Sequence, residues 1–271
     1  MERIKKALEK ARESNEGAVK PSHAMPKKNK DVLDLQNGVT YSQTRQIAGD
    51  RSSLVNNRVI SELDNPEALT AYKLLRTQVE HRLSANGWNA LAITSPGANQ
   101  GKTLTAINLA ISLAYEVHRT VLLVDLDLKN PSIHKIFGSL GGPGIVDYLY
   151  NDVPLNEILF NPGVDRLVVL PGSEPIANSS ETLASPKMAR LVDELKSRYP
   201  SRFVIFDLPP MLSADDALAF SPHVDAALLV VEDGVTTKEE LARSIELLNQ
   251  TELLGTVLNK TLERQTAYYY S

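Results

Sequence analysis

The sequence has no cysteine and only one tryptophan among its 271 residues. Without cysteine the chain can form no disulfide and can use no thiolate as a nucleophile or metal ligand. Its apolar runs stay short of the roughly 18 residues that a membrane-spanning helix needs, and no secretory leader is recognisable at its start. These absences exclude a disulfide scaffold and predict a cytoplasmic protein.

The charge is unevenly placed along the chain. The formal net charge is −4; residues 1–60 hold 12 Lys or Arg against 7 Asp or Glu, and the remainder holds 17 against 26. An acidic body argues against nucleic acid as the main ligand. A basic arm can contact acidic lipid or an acidic protein, although many arms of this kind are simply solvated.

The chain divides into four predicted segments. Residues 1–15 carry apolar side chains at helical spacing and predict an amphipathic helix, and residues 16–59 have the polar composition of a flexible linker. Between 60 and 262, near-continuous apolar strands alternate with helices, which is typical of a mostly parallel α/β sheet with helices on both faces. Residues 263–271 form a tyrosine-rich tail.

The predicted domain contains six apolar strands, at 90–94, 121–126, 166–170, 203–208, 226–231 and 254–258. Helical patterns occupy 102–117, 188–198 and 238–250. Asn65-Pro66-Glu67 gives the start signal of a further helix before the first strand.

A phosphate-binding pattern follows the first strand, at residues 94–103. Such a loop needs glycine for a tight turn whose N–H groups face phosphate, a lysine for the β/γ-phosphates and a hydroxyl for Mg²⁺. Pro96 stands where the first glycine usually does and removes one N–H donor. We therefore expect a variant loop whose nucleotide-binding residues are Gly97, Ala98, Asn99, Gln100, Gly101, Lys102, Thr103 and Leu104.

Carboxylates follow two further predicted strands. Asp125 and Asp127 end the second strand and point to the same side, because alternate strand residues share a face. Asp207 ends the fourth strand, before a double proline. Ligands bind at the carboxyl ends of strands in open α/β sheets, so all three are expected beside the loop. A role as turn residues alone is an alternative, more so for Asp207 than for the pair.

These segments resemble the bacterial tyrosine autokinases of capsule and exopolysaccharide assembly, a branch of the P-loop NTPases related to partition ATPases. The resemblance covers about residues 60–271. Its motifs are Gly101-Lys102-Thr103 for Walker A, Asp125-Leu126-Asp127 for Walker A′, Asp207-Leu208-Pro209-Pro210 for Walker B, and the terminal cluster Tyr268-Tyr269-Tyr270.

The resemblance implies an ATP- and Mg²⁺-dependent protein-tyrosine kinase. It makes Lys102, Asp125 and Asp127 catalytic, with Asp127 the candidate to accept the tyrosine proton. It makes Thr103, Asp125 and Asp207 the ligands of Mg²⁺, and the terminal tyrosines the phosphoacceptors. The division of roles between Asp125 and Asp127 stays open.

The resemblance also implies self-association and a separate membrane-anchored activator, a polysaccharide chain-length protein that recruits the chain to the inner face of the plasma membrane. Residues 1–11 are expected to make that contact. The family's ring-forming helix usually carries Glu-x-x-Arg-x-x-Arg, where this chain has Thr70, Lys73 and Arg76. Lys129 stands where the Walker A′ motif usually continues with Arg, which loses a bidentate donor.

Two other functions stay open at this point. A partition or positioning ATPase would use the same loop to switch between monomer and surface-bound dimer, but its relatives carry an extra lysine where Ser95 and Pro96 stand here. A regulatory subunit with a degraded loop is supported by Pro96 alone. The tyrosine triplet favours the kinase, because a positioning ATPase has no use for it.

Overall fold

The computed structural model describes residues 44–47, 51–60, 65–138, 141–172, 174–199, 201–213 and 215–261. The predicted helix at 1–15, most of the predicted linker and the tail with Tyr268, Tyr269 and Tyr270 lie outside the described residues. Among the helices that are described, none combines the length and apolar character required to cross a bilayer.

The described strands form one eight-stranded sheet. They are β1 (Arg45–Gln46), β2 (Ala90–Thr94), β3 (Thr120–Asp125), β4 (Phe160–Asn161), β5 (Leu167–Leu170), β6 (Arg202–Asp207), β7 (Ala226–Glu232) and β8 (Glu252–Asn259). Their order is β1-β4-β5-β3-β6-β2-β7-β8, and all neighbours run parallel except β4 and β5. The predicted mostly parallel sheet is confirmed. The first and last residues of each predicted strand lie within two residues of those of the corresponding observed strand.

Ten α-helices connect these strands in the described part of the chain, together with a short 3-10 helix at Ser221–His223. They are α1 (Arg51–Asn56), α2 (Pro66–Asn86), α3 (Lys102–Ala114), α4 (Ile133–Ile136), α5 (Ile145–Asn151), α6 (Leu155–Ile158), α7 (Ser179–Leu183), α8 (Pro186–Ser197), α9 (Asp216–Phe220) and α10 (Lys238–Leu247). The predicted start of α2 is confirmed, because the Asn65 side chain accepts hydrogen bonds from Glu67 N and Ala68 N, both at 3.1 Å.

Both faces of the sheet are buried, which explains the near-continuous apolar strands. In β2, Leu91 and Ile93 pack on the face that α2 and α3 cover, whereas Ala90 and Ala92 pack on the face that α8 and α9 cover. Successive strand residues point to opposite faces, so every position of such a strand must be apolar. The helix that follows the phosphate loop, α3, is itself buried from residue 105 to residue 114.

The folded domain begins before residue 60, where the predicted linker ends. Leu54, Val59 and Ile60 are buried in the same core cluster as α3. Asn108 of α3 accepts a hydrogen bond from Ile60 N at 3.0 Å and donates one to Arg58 O at 3.2 Å. Three buried side chains within a polar stretch are too few to produce a periodic apolar pattern. The polar composition of this segment therefore predicts a linker.

The packing of α1 predicts that this segment contributes to the stability of the domain. Replacing Leu54, which is 7% exposed, by alanine should lower the free energy of unfolding by about 2–3 kcal/mol, because buried apolar contacts are lost. The neighbouring Val55 is 43% exposed, and its replacement by alanine should change the value by less than about 0.5 kcal/mol. Urea unfolding measures both, and equal effects would contradict the burial of α1.

Candidate active site

The carboxyl ends of three neighbouring strands bring the predicted site residues together. β3, β6 and β2 lie side by side, and Asp207 is in register with both Asp125 and Ile93. The phosphate loop leaves β2, and Asp127 follows β3 by two residues. This edge is where ligands bind in open α/β sheets. The structure therefore places the loop and all three aspartates at one location.

The loop between β2 and α3 turns through two residues with left-handed backbone. Asn99 has φ 62° and Gly101 has φ 94°, a conformation that glycine adopts freely and asparagine tolerates better than most residues. Gly101 directly precedes α3, whose first residue is Lys102. The N-terminus of a buried helix therefore opens onto the site, where its N–H groups and dipole favour an anion.

Pro96 is buried at the base of the loop. The carbonyl groups of Ser95 and Pro96 accept hydrogen bonds from Met211 N at 2.8 Å and Leu212 N at 3.1 Å, which ties the loop to the segment after β6. Pro96 precedes both left-handed residues, so its missing N–H lies before the turn. The proline in place of the usual glycine therefore lies where the loop is bonded to the segment after β6, and not in the turn formed by Asn99 and Gly101.

Gln100 braces the loop from inside. Its side chain is buried, and its Oε1 accepts a hydrogen bond from Gly97 N at 3.1 Å. Ala98 and Asn99 are the exposed rim of the loop, and Leu104 lies in the first turn of α3. The predicted nucleotide-binding residues 97–104 therefore form one continuous turn and helix start.

Lys102 is the positive group at the centre of the site. Its Nζ donates to Asp127 Oδ2 at 2.7 Å and to Thr103 Oγ1 at 3.0 Å, and lies 3.6 Å from Asp207 Oδ1. Burial disfavours the charged ammonium, but Asp207 and Asp127 together outweigh it and raise the pKa of Lys102 above its ordinary value. Lys102 therefore stays charged although it is buried.

Asp207 is fully buried at the end of β6. Its Oδ2 accepts a hydrogen bond of 2.6 Å from Thr103 Oγ1, and its Oδ1 has no hydrogen-bond partner. Burial raises the pKa of this carboxyl, and the opposing effects of Lys102 and Thr103 do not cancel the rise. The pair Thr103 and Asp207 thus presents oxygen atoms beside the ammonium group.

Asp125 is fully buried at the end of β3 and organises the chain that follows it. Its Oδ2 accepts hydrogen bonds from Ser132 N at 2.9 Å and Ile133 N at 3.0 Å, at the start of α4. Its Oδ1 has no hydrogen-bond partner. Burial first, and then the neighbouring charge of Asp207, raise the pKa of Asp125 to about 7.

Asp127 is the carboxylate in direct contact with Lys102. It is 6% exposed, and its second oxygen, Oδ1, accepts a hydrogen bond from Asn130 N at 3.2 Å. The backbone of residues 130–133 is therefore held by hydrogen bonds to both Asp127 and Asp125. This arrangement gives the two aspartates different surroundings, because Asp125 supports the backbone while Asp127 faces the lysine.

The donor set suits Mg²⁺ that binds together with a nucleotide. Asp125 and Asp207 each offer a buried oxygen without a hydrogen-bond partner, and Thr103 Oγ1 lies beside Asp207. Mg²⁺ is usually held by one or two carboxylates together with substrate phosphates. In the part of the chain that the structure describes, no group of three or more His, Cys, Asp or Glu could hold a metal by itself. The residues fit a metal ion that shares its ligands with phosphate.

The sequence reasoning missed two polar residues that touch the loop. Asn259 Nδ2 donates to Gln100 O at 2.9 Å, and Lys260 Nζ donates to Asn99 O at 2.7 Å. Both residues follow the apolar strand predicted at 254–258, which is the signal that located the aspartates. A polar residue directly after an apolar strand therefore points to this edge of the sheet whether its side chain is an amide, an amine or a carboxylate.

A further ion pair supports the segment after Asp127. Lys129 Nζ lies 2.8 Å from Asp216 Oδ2, and Asp216 is fully buried at the start of α9. The hydrogen bond to Asp216 raises the pKa of Lys129 above its ordinary value. Lys129, which stands where the resemblance led us to expect arginine, therefore makes a charged contact through one donor.

Comparisons with known proteins identify the family of this chain. A family profile described as an AAA domain matches residues 91–263. Tyrosine-protein kinase YwqD of Bacillus subtilis is 31% identical over 226 residues, 82% of this chain and 94% of that protein. The kinase domain of Escherichia coli tyrosine kinase ETK has a TM-score of 0.69 at 30% identity, over 76% of this chain and 81% of that one. This chain belongs to the bacterial tyrosine-protein kinase family.

Membership of the tyrosine-protein kinase family confirms the resemblance that the motifs indicated, and membership of a P-loop group implies nucleotide binding. The septum site-determining protein MinD of Pyrococcus horikoshii, solved with Mg-ADP, has a TM-score of 0.53 at 22% identity, over 65% of this chain and 72% of that one. That likeness shows the shared fold alone. This chain and that protein therefore share a fold, and no common role follows from the likeness.

The buried state of Asp125 predicts a pH-dependent cost to stability. A carboxyl whose pKa is higher in the folded than in the unfolded chain binds a proton on folding, so stability falls as pH rises between the two values. Asp125→Asn keeps an oxygen for Ser132 N and Ile133 N but carries no charge. Without nucleotide, its stability advantage over wild type should grow by up to about 3 kcal/mol from pH 5 to pH 8.

Thermal unfolding at both pH values measures the effect of Asp125→Asn. Asp193→Asn is the matched control, because Asp193 is exposed on α8 and should show no such growth. An Asp125→Asn advantage that is equal at pH 5 and pH 8 would contradict a carboxyl that titrates near neutrality in the folded protein.

Proposed function

We propose that this chain is an ATP-dependent protein-tyrosine kinase that phosphorylates its own C-terminal tyrosines and regulates exopolysaccharide or capsule polymerisation or export. The observation that carries the proposal is the buried contact of Lys102 with Asp127, 2.7 Å long, beside the hydrogen bond from Thr103 to Asp207. It joins a phosphate-binding lysine, a candidate base and a candidate metal site within one cluster. Family membership supports tyrosine as the acceptor.

Phosphoryl transfer requires positioning and charge stabilisation more than covalent chemistry by the protein. Lys102 and the N–H groups at the start of α3 would bind the phosphates of ATP. Thr103, Asp125 and Asp207 would hold Mg²⁺, which when bound neutralises charge on the phosphates. Gly97, Ala98, Asn99, Gln100, Gly101 and Leu104 would shape the loop around them.

Asp127 is the proposed acceptor of the tyrosine proton. In the transfer, the phenolic oxygen forms a bond to the γ-phosphorus, the bond from that phosphorus to the β,γ-bridging oxygen breaks, and ADP leaves. The phenolic proton passes to Asp127 Oδ2, the oxygen that contacts Lys102. Asp125 is the less suitable acceptor, because its buried Oδ1, which has no hydrogen-bond partner, is assigned to Mg²⁺ in this proposal.

The proposed acceptors are Tyr268, Tyr269 and Tyr270. Ten residues join Asn259 to Tyr269, and an extended chain of that length spans at most about 33–36 Å. This reach supports transfer to a neighbouring copy. Each phosphate adds about −1.5 to −2 charge, so phosphorylated tails would repel one another and the acidic bodies, which would loosen an assembly.

The proposed assembly differs from a ring held by the usual arginine-rich helix. Arg76 Nη2 lies 3.0 Å from Glu116 Oε1, and its Nη1 donates to Ser112 O at 3.4 Å, so this guanidinium is engaged within its own domain. Thr70 Oγ1 likewise donates to Pro66 O.

We propose that a membrane-anchored activator, contacted by residues 1–11, recruits the kinase to the inner face of the plasma membrane.

The proposed activity predicts phosphotyrosine on the purified full chain after incubation with Mg-ATP. Lys102→Met should lower the signal at least about 100-fold, because the charge opposite the phosphates is lost. A triple Tyr268/Tyr269/Tyr270→Phe variant should lose most of the signal while it keeps nucleotide binding. Immunoblotting with an anti-phosphotyrosine antibody, together with mass spectrometry, measures both.

Two matched controls separate these effects from general damage. Lys238→Met removes an exposed lysine of α10, and Tyr199→Phe alters an exposed tyrosine of the domain; both should retain full signal. ATP turnover without any phosphotyrosine would contradict the kinase proposal and favour a positioning-type ATPase. A signal that survives in the triple variant would remove the tail as acceptor.

A further inference from the structure

The last strand of the sheet ends against the phosphate loop. β8 runs parallel to β7, and Asn259, its final residue, accepts a hydrogen bond at its carbonyl oxygen from Asp233 N at 2.9 Å. This bond fixes the backbone of Asn259, while its Nδ2 donates to Gln100 O at 2.9 Å. The side chain is therefore positioned by the sheet and holds the loop.

Lys260 makes a second contact to the same turn. Its Nζ donates to Asn99 O at 2.7 Å and lies 2.8 Å from Glu232 Oε2, at the end of β7. The Glu232 side chain is only 17% exposed, so it orients the ammonium group toward the loop. Lys260 itself has φ 58°, a left-handed backbone that is costly for a lysine and needs surrounding contacts to persist.

The two contacts act on consecutive peptide groups. In a planar trans peptide, the C=O of one residue and the N–H of the next point in opposite directions. Holding Asn99 O and Gln100 O toward β8 therefore turns the N–H groups of Gln100 and Gly101 away from β8. These N–H groups belong to the turn that would face phosphate.

The packing at Gly101 shows how closely β8 approaches the turn. A Cβ built on Gly101 would overlap the Asn259 side-chain amide, so only glycine fits while Asn259 is in place. The φ of 94° at Gly101 independently disfavours any other residue. The turn at Gly101 and the end of β8 at Asn259 are therefore in direct van der Waals contact.

We propose that Asn259 and Lys260 are positioning residues, which fix the orientation of the loop N–H groups and so set the affinity for nucleotide. The proposal rests on the nucleotide site of the proposed function. Both residues lie directly before the segment that carries the acceptor tyrosines, so the tail starts at a structural part of the nucleotide site. The contacts act on the loop, not on the atoms that react.

The test measures binding of a fluorescent ATP analogue and steady-state kinetics on the full chain. Lys260→Met should weaken binding and raise KM for ATP about three- to tenfold, as expected for loss of one charge-assisted hydrogen bond, with kcat changed less than about twofold. Lys260→Arg should restore most of the affinity, because it keeps a cationic donor. Asn259→Asp should weaken binding as well, since a carboxylate cannot donate to Gln100 O.

The controls distinguish this proposal from the proposed function. Lys238→Met, the exposed lysine of α10, should bind the analogue like wild type. Equal affinity in wild type, Lys260→Met and Asn259→Asp would overturn the positioning role and leave the kinase proposal intact. A wild-type chain that binds no analogue would instead overturn the nucleotide site itself. A loss of kcat with unchanged KM would also contradict the proposal.

Discussion

The site depends on the balance of buried charge around Lys102. One ammonium group lies among three carboxylates, of which Asp125 and Asp207 are fully buried and Asp127 is 6% exposed. An ionised carboxylate in a protein interior is costly unless its charge is compensated, and the raised pKa of Asp125 indicates that this fold compensates only in part. A divalent cation would supply the missing positive charge. The protein should therefore gain stability when its site is filled, because a ligand that binds only the native state favours folding.

The parallel sheet makes such a cluster possible. β3, β6 and β2 are buried on both faces, so their backbones are held by ladders on either side and their ends are fixed relative to one another. The loops at these ends can then be polar without loosening the core. The buried helix α3 adds a second constraint, because it begins at Lys102 and is held along its length by the sheet, by α2 and by residues 58–60.

The parts of this structure that could be predicted from sequence are those with a strong local pattern. Six apolar strands, the phosphate loop and the aspartates at strand ends follow from residue type and spacing, and the structure brings Lys102, Thr103 and the aspartates together. β1, β4 and α1 are two to six residues long and carry too few apolar side chains for a periodic signal. The contacts of Asn259 and Lys260 join positions about 160 residues apart, and no local pattern encodes such a pairing.

The contact between Gly101 and Asn259 has a consequence for how this sequence can vary. A side chain at position 101 is excluded by the amide of Asn259 as well as by its own backbone angle. Conversely, a bulkier residue at 259 would displace the turn that starts α3. Position 101 is therefore restricted to glycine by its backbone angle whatever stands at 259, whereas position 259 is restricted by the turn to side chains no larger than asparagine.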